Sequence, residues 1–424
     1  MNRQLRARCF LAVTAGGLLL GMCSHAGAET VAITGGKVYP VSAPAIENGT
    51  VVIVDGKITA VGANVSIPSG ARRIDARGKW VTPGLIHSST ALGVVEVDAV
   101  KSGNDDSAKG EHGVAAAFHV WDALNPDSEL WTPARQDGVT AVVVAPSGGF
   151  VAGQAALVET LRGPVGGMVR KAPVGMVVDL TNLDAAEATA RGEVLLRLRD
   201  LLDDAAAFGK GQSAYESNQL RELAAKKSDL VALQPVLTGS LPLIVHVERA
   251  VDIQALLALA RERSLRVIVQ GGAEAWKVAS DLAAARVPVL TGGLSNLPSD
   301  FDQLGATLEN AGRLRKAGAA VAITTAGGNN FFVRDIRQHA GNAIANGLPW
   351  DEALRAVTLT PAEIFGVADS MGSLQPGRQA DVVVWDGDPF EFATRVEHVF
   401  VRGQESTERS REQMLTDRYK RPRQ

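Results

Sequence analysis

Six short, unbroken apolar runs recur through the middle of this chain: "TAVVVAP", "PVGMVVDL", "LPLIVHV", "LRVIVQGG", "VPVLTGG" and "AAVAITTAGG". They lack the in–out alternation of a half-solvated strand and suit strands buried on both faces. Between them lie stretches such as "AVDIQALLALARERS", "AEAWKVASDLAAAR" and "LENAGRLRKAG", where apolar residues recur at three and four, the helical period. Strand then helix, repeated, restricts the chain to a parallel α/β layout. Several runs close on Gly, Thr or His, which suits loops at the C-terminal face of a barrel. Residues 183–236 are helical and charged ("EVLLRLRDLLDDAAAFGKG") and read as an insertion or long crossover.

The two ends have a different grammar. "VAITGGKVYPV", "GTVVIVDGKITAVG" and "RRIDARGKWVTPG" alternate apolar and polar residues around tight turns, with Asp55-Gly56 the strongest hairpin signal. After "WDEALRAVTLTPAEIFG" the β pattern returns in "GSLQPGRQADVVVWDGDPF" and "VEHVFVRG". Neither end has enough strands to be stable alone, so the two are expected to pair around the α/β middle. The last stretch, "STERSREQMLTDRYKRPRQ", reads as a docking helix with a frayed end.

The chain of 424 residues suits one large domain and a smaller one. A net charge of −3 and 5% aromatic residues give no footprint for nucleic acid, an anionic membrane or a carbohydrate platform. "MNRQLRAR", "CFLAVTAGGLLLGM" and "AGA" have the order of a signal peptide cleaved after Ala28, which predicts export to the periplasm. The apolar run is too short for a membrane span. A lipoprotein anchored at Cys23 is the alternative, with Met22 a poor neighbour for it. Both cysteines, Cys9 and Cys23, lie in the segment to be removed, so the mature chain is expected to have no disulfide and no thiolate chemistry.

Taken in order, "ITGGKVYPV", "GTVVIVDGKITAVG", "KWVTPGLI", "DGVTAVVVAPSGGFVAGQ", "LPLIVHVERAVDI", "TLTPAEIFG" and "GSLQPGRQADVVVWDGDP" resemble the amidohydrolase superfamily, most closely its exported imidazolonepropionase-like branch. The resemblance covers nearly the whole mature chain. It implies an α/β fold, a (β/α)8 TIM-like barrel with a small β-sandwich built from both chain ends. The divisions it suggests are a signal peptide at 1–28, sandwich at 29–82, barrel at 83–360 with the insertion at about 183–236, sandwich again at 361–407 and a tail at 408–424. It further implies hydrolysis of amide or cyclic amide bonds by water activated on one or two divalent metals, zinc the expected one. The family's ligands are an HxH pair on strand 1, a carboxylated lysine or glutamate in some branches, histidines on strands 5 and 6, and an aspartate on strand 8.

Carried onto this chain, the HxH pair falls on Ser89 and Ala91, the strand-5 histidine on His246, the strand-6 histidine near Gly271 with Gln270 beside it, and the aspartate on Ala326. Only His246 keeps a strong ligand, and zinc needs about three protein donors. The family's metal is therefore doubtful here, and no cofactor is assigned. Glu96 and Asp98, with Asn104, Asp105 and Asp106, offer a relocated oxygen site or a solvated loop. His246 and Glu248, two apart on a strand, point to one side and offer a metal-free acid–base pair. Otherwise His246 is a relict and Glu248 pairs with Arg249 or Lys277 outside. His87 is expected to hydrogen-bond at its strand end. "PSGGFVAGQ" lacks both the P-loop and the dinucleotide spacing and reads as a tight loop at the mouth.

Two functions remain. One is a divergent hydrolase on amide or cyclic C–N bonds, using His246 and Glu248 or the acidic loop after strand 1. The other is a pseudoenzyme that binds a small amide-like or cyclic molecule, or that partners an intact relative. A homo-oligomer is compatible with either.

Overall fold

The computed structural model describes residues 29–211, 223–294, 298, 300–325 and 330–420. The signal-peptide expectation and position 326 lie outside these residues. Two sheets organise the described chain. The first combines both chain ends: β1 (Val31–Val38), β2 (Ile46–Val54), β3 (Lys57–Gly62), β4 (Arg72–Asp75) and β5 (Trp80–Pro83). The second runs from β6 (Leu85–Thr90) through β7 (Val139–Val144), β8 (Val151–Glu159), β9 (Val169–Asp179), β10 (Leu243–Val247), β11 (Val267–Gly271) and β12 (Val289–Gly292) to β13 (Val321–Thr324). The chain then returns to the first sheet with β14 (Val382–Trp385), β15 (Val396–Val401) and β16 (Gln404–Glu405).

The ends meet where β14 pairs antiparallel with β5, Val382 opposite Pro83 and Trp385 opposite Trp80. Alternation decides which faces are buried. Val382 and Val384 join Val31, Ile33, Val51, Ile53 and Phe400 in the small core, while Val383 and Trp385 turn to the barrel's outer core. The seam is tied by Trp385 Nε1–H donating to Thr82 Oγ1 at 2.8 Å.

The second sheet is an eight-stranded, nearly closed barrel. Its lumen is packed by side chains from every strand, among them Ile86, Val143, Leu157, Val177, Ile244, Ile268, Leu290 and Ala322. Phe365 and Met371 belong to the same cluster. The intervening residues of each strand face outward against helices such as Ala250–Arg263, which buries Ile253, Leu256, Leu257 and Ala260 on one stripe. That helix stops where Ser264 turns left-handed at φ 55°.

One strand departs from a uniform (β/α)8 pattern. β8 runs antiparallel to both β7 and β9. Residues 145–150 join β7 to β8, and a loop this short serves a hairpin but not a crossover, which takes a dozen residues or more. The glycine-rich "PSGG" is thus a turn at the barrel rim. The insertion contains the helix Arg191–Lys210 and two short helices, Lys227–Ala232 and Gln234–Leu237.

The edge strands β6 and β13 face each other across the last gap. Thr325 N–H approaches His87 Nε2 at 3.3 Å, Thr325 Oγ1 lies 3.0 Å from the same nitrogen, and Thr324 Oγ1 donates to Ser89 O at 3.3 Å. His87 is fully buried. Burial, reinforced by nearby His339, pulls its pKa down to about 3, so it is a neutral fastener of the seam.

Candidate functional site

Four of the barrel strands add a polar residue above the lumenal apolar layer, two positions further on, and these form a collar at the C-terminal mouth. Val177 leads to Asp179, Ile244 to His246, Ile268 to Gln270 and Ala322 to Thr324. On β6 the register slips by one residue between His87 and Thr90, opposite Val142 and Val144. Ser88 and Ser89 therefore share the place opposite Val143, a lumenal residue.

His246 stands at the centre of the collar. Its Nδ1 lies 3.4 Å from Asp179 Oδ1 and its Nε2 lies 3.2 Å from Glu248 Oε1. Burial is the largest single influence on its pKa and pulls it down. The hydrogen bonds and charges of Asp179 and Glu248 together outweigh that and raise it to about 10. The ring is thus an imidazolium at neutral pH, with both N–H groups turned to carboxylates.

The flanking acids are held in turn. Asp179 Oδ1 accepts from Thr181 N–H at 2.8 Å, Thr181 Oγ1 at 2.7 Å and Asn182 N–H at 3.3 Å. Burial pushes this carboxyl up, yet the bonds from His246 and Thr181 bring it below the usual range. Glu248 Oε2 accepts from Ala273 N–H at 2.7 Å, and Gln303 Nε2 reaches Glu248 Oε1 at 3.4 Å. Glu248 is therefore buried in the site, not paired outward with Arg249 or Lys277; Arg249 instead binds Asp252.

The strand-6 position has a steric explanation. Register places Gln270, not Gly271, level with His246. A Cβ at Gly271 would sit 2.6 Å from Glu248 Oε1, and the residue has φ +85°. Glu248 occupies the volume that a side chain at 271 would need.

The family's metal does not fit these residues. Ser89 and Ala91 are buried, the first offering a weak neutral donor and the second none. Both ring nitrogens of His246 are committed to carboxylates. Among the described residues, no group of three or more His, Cys, Asp or Glu side chains is placed to hold a metal ion. In the acidic stretch after β6, the Glu96 and Asp106 carboxylates are engaged with neighbouring loops. Glu96 accepts from Asn125 Nδ2 at 2.8 Å and Ser128 Oγ at 2.9 Å, and Asp106 from Ser147 Oγ at 2.6 Å. The Asn104 amide donates to Asp98 O at 2.9 Å. These groups fasten mouth loops to one another.

Asp179 was not apparent from sequence reasoning. The signal was present, since "GMVVDL" ends an apolar run on an acid where neighbouring runs end on His and Gln.

A nearly closed barrel with a composite sheet and a polar collar at the C-terminal mouth places the chain among the TIM-like α/β barrels. Residues 243–405 match the model of the amidohydrolase family. Among curated relatives, the chain is 26% identical over 408 residues to a dihydroorotase of Pelotomaculum thermopropionicum, covering 88% of this chain and 93% of that one. It is 25% identical over 389 residues to an imidazolonepropionase of Cupriavidus necator, covering 83% and 88%. Amidohydrolase tasK of Hapsidospora irregularis is 22% identical over 395 residues, 84% of this chain but only 39% of that protein. An amidohydrolase structure from Thermotoga maritima superposes with TM-score 0.81 at 24% identity, covering 89% of this chain and all of that one. Over residues 243–405, and in the fold of the described chain, the protein is similar to amidohydrolases.

Proposed function

We propose that this amidohydrolase-fold protein binds a small polar molecule at the barrel mouth and does not hydrolyse it through a metal-bound water. The observation that supports this most is the state of His246. Its two nitrogens face Asp179 and Glu248, where a metal ligand would need one of them bare. The collar is nonetheless well built, with Asp179 and Glu248 each anchored by backbone N–H groups.

A second reading, a metal-independent hydrolase acting through His246 and Glu248, has the reach of His246 in its favour, since 36% of that side chain is exposed. An imidazolium held to about pH 10 can donate a proton but lacks the free nitrogen of a general base at neutral pH.

Elemental analysis of freshly purified protein, followed by assays on cyclic amides with added Zn²⁺ or Mn²⁺, separates the readings. Binding without turnover predicts far less than one metal per chain and no hydrolysis under either condition. Stoichiometric metal with turnover would overturn the proposal. Turnover without metal that disappears in His246→Ala would establish the second reading instead.

A further inference from the structure

Aromatic residues make up only 5% of the chain, yet Tyr39, Trp80, Trp350 and Phe390 meet where the composite sheet adjoins the outer helices of the barrel. The Trp350 ring, at the start of the helix Trp350–Ala356, lies 4.7 Å from Tyr39 and 5.4 Å from Trp80 and from Phe390, centroid to centroid. Beside it opens a cavity of about 370 Å³, whose lining includes Gln338, Trp350, Asp388, Phe390, Glu391 and Phe392. It shares no residue with the collar at the mouth.

Three features of this lining call for an occupant. Gln338 Oε1 is buried with no hydrogen-bond partner, which is uncommon in a finished interior. Phe392 leaves 87% of its surface exposed beside an aromatic wall. Asp388 and Glu391 bring two negative charges, and among the described residues neither is in an ion pair. Asp388 is fixed in place, accepting from Trp350 Nε1–H at 2.8 Å and from Phe390 N–H at 2.9 Å, and a carboxylate has room for further donors. Lys37, the cation over the Tyr39 and Trp80 rings, is paired with Glu47 at 3.1 Å.

Unopposed carboxylates select a cation, aromatic rings select one that sheds water readily, and open acceptors select one rich in N–H groups. A guanidinium meets all three conditions, being flat, weakly hydrated, prone to stack on rings and furnished with five donors. An ammonium holds its water more tightly, and a quaternary ammonium has no N–H. We propose that this cavity binds a small alkylguanidinium compound. The guanidinium lies against the aromatic wall and donates to Asp388, Glu391 and Gln338 Oε1, and the cavity has the volume for a whole small molecule. The Gln338 amide also carries an NH₂ donor, so a neutral urea of the same shape is the decisive competitor.

Titration calorimetry of the purified protein at pH 7.5, with ethylguanidinium, ethylurea, tetramethylammonium and the peptide Gly-Arg-Gly, tests this. Ethylguanidinium should bind one to one, at least tenfold more tightly than ethylurea or tetramethylammonium and no more weakly than the peptide. Glu391→Gln and Phe392→Ala, both at exposed positions where the fold is not at stake, should each weaken it at least fivefold. Equal binding of ethylurea would overturn the proposal by showing that charge is not used. Equal binding of tetramethylammonium would do so by showing that the N–H groups are not used. Tighter binding of Gly-Arg-Gly would overturn the small-molecule assignment in favour of a protein's arginine. Binding untouched by both substitutions, or no binding of ethylguanidinium, would overturn the site itself.

Discussion

His246 is an acid by environment. Its folded pKa stands above the ordinary value of 6.5, at about 10, so its partners add stability that is fully present below 6.5 and is lost as pH rises toward 10. His87 and His339 act in the opposite sense. Burial depresses them to about 3 and about 4, so the unfolded chain binds protons that the folded chain refuses as pH falls below 6.5. Denaturation midpoints across pH should therefore peak near neutrality and fall on both sides. His246→Asn should flatten the alkaline limb and leave the acid limb in place. An alkaline limb unchanged by that substitution would show that the Asp179–His246–Glu248 arrangement does not form in solution.

The ends of β10 and β11 work as one device. Glu248 follows β10 and fills the space beside Gly271 at the end of β11, where φ is +85°. Gly271→Ala should cost about 1–3 kcal/mol, from the left-handed backbone and the displaced carboxylate together. Urea denaturation measures it, and a cost near zero would mean that Glu248 is free to move aside. Much at this scale was legible beforehand. Unbroken apolar runs gave the barrel strands, and Asp-Gly turns gave the hairpins of the composite sheet. The reversed β8 was harder to read, because "TAVVVAP" and "GFVAGQAALV" look the same whichever way they run, and only the short link reveals direction. The pairing of Ser88 and Ser89 against one residue was beyond the sequence altogether, since a bulge depends on the partner strand. Of the site, His246 and Glu248 stood out by spacing, whereas Asp179 comes from a distant strand that only the register brings alongside.

At the scale of the molecule, the barrel and the composite sheet are joined by a buried charge knot. Glu159, at the end of β8, is fully buried and binds the Arg402 guanidinium and the Gln379 amide. Asp381 lies in the same knot, accepting from Arg402 N–H at 2.9 Å and from Gln379 Nε2 at 2.8 Å. Burial first, and Glu159 second, push its carboxyl up to about 7. Arg402→Met leaves Glu159 without its countercharge and should destabilise the protein by about 3 kcal/mol. The double variant with Glu159→Gln should recover most of that loss in denaturant titrations. Full additivity of the two substitutions would mean that the charges do not meet.

Glu248 and Gly271 also tie two strand ends into one mutational unit. A side chain placed at 271 collides with the glutamate, and Glu248 removed alone strips a partner from His246. The mouth is therefore a coupled unit, in which residues 246, 248 and 271 change together or at a cost in stability.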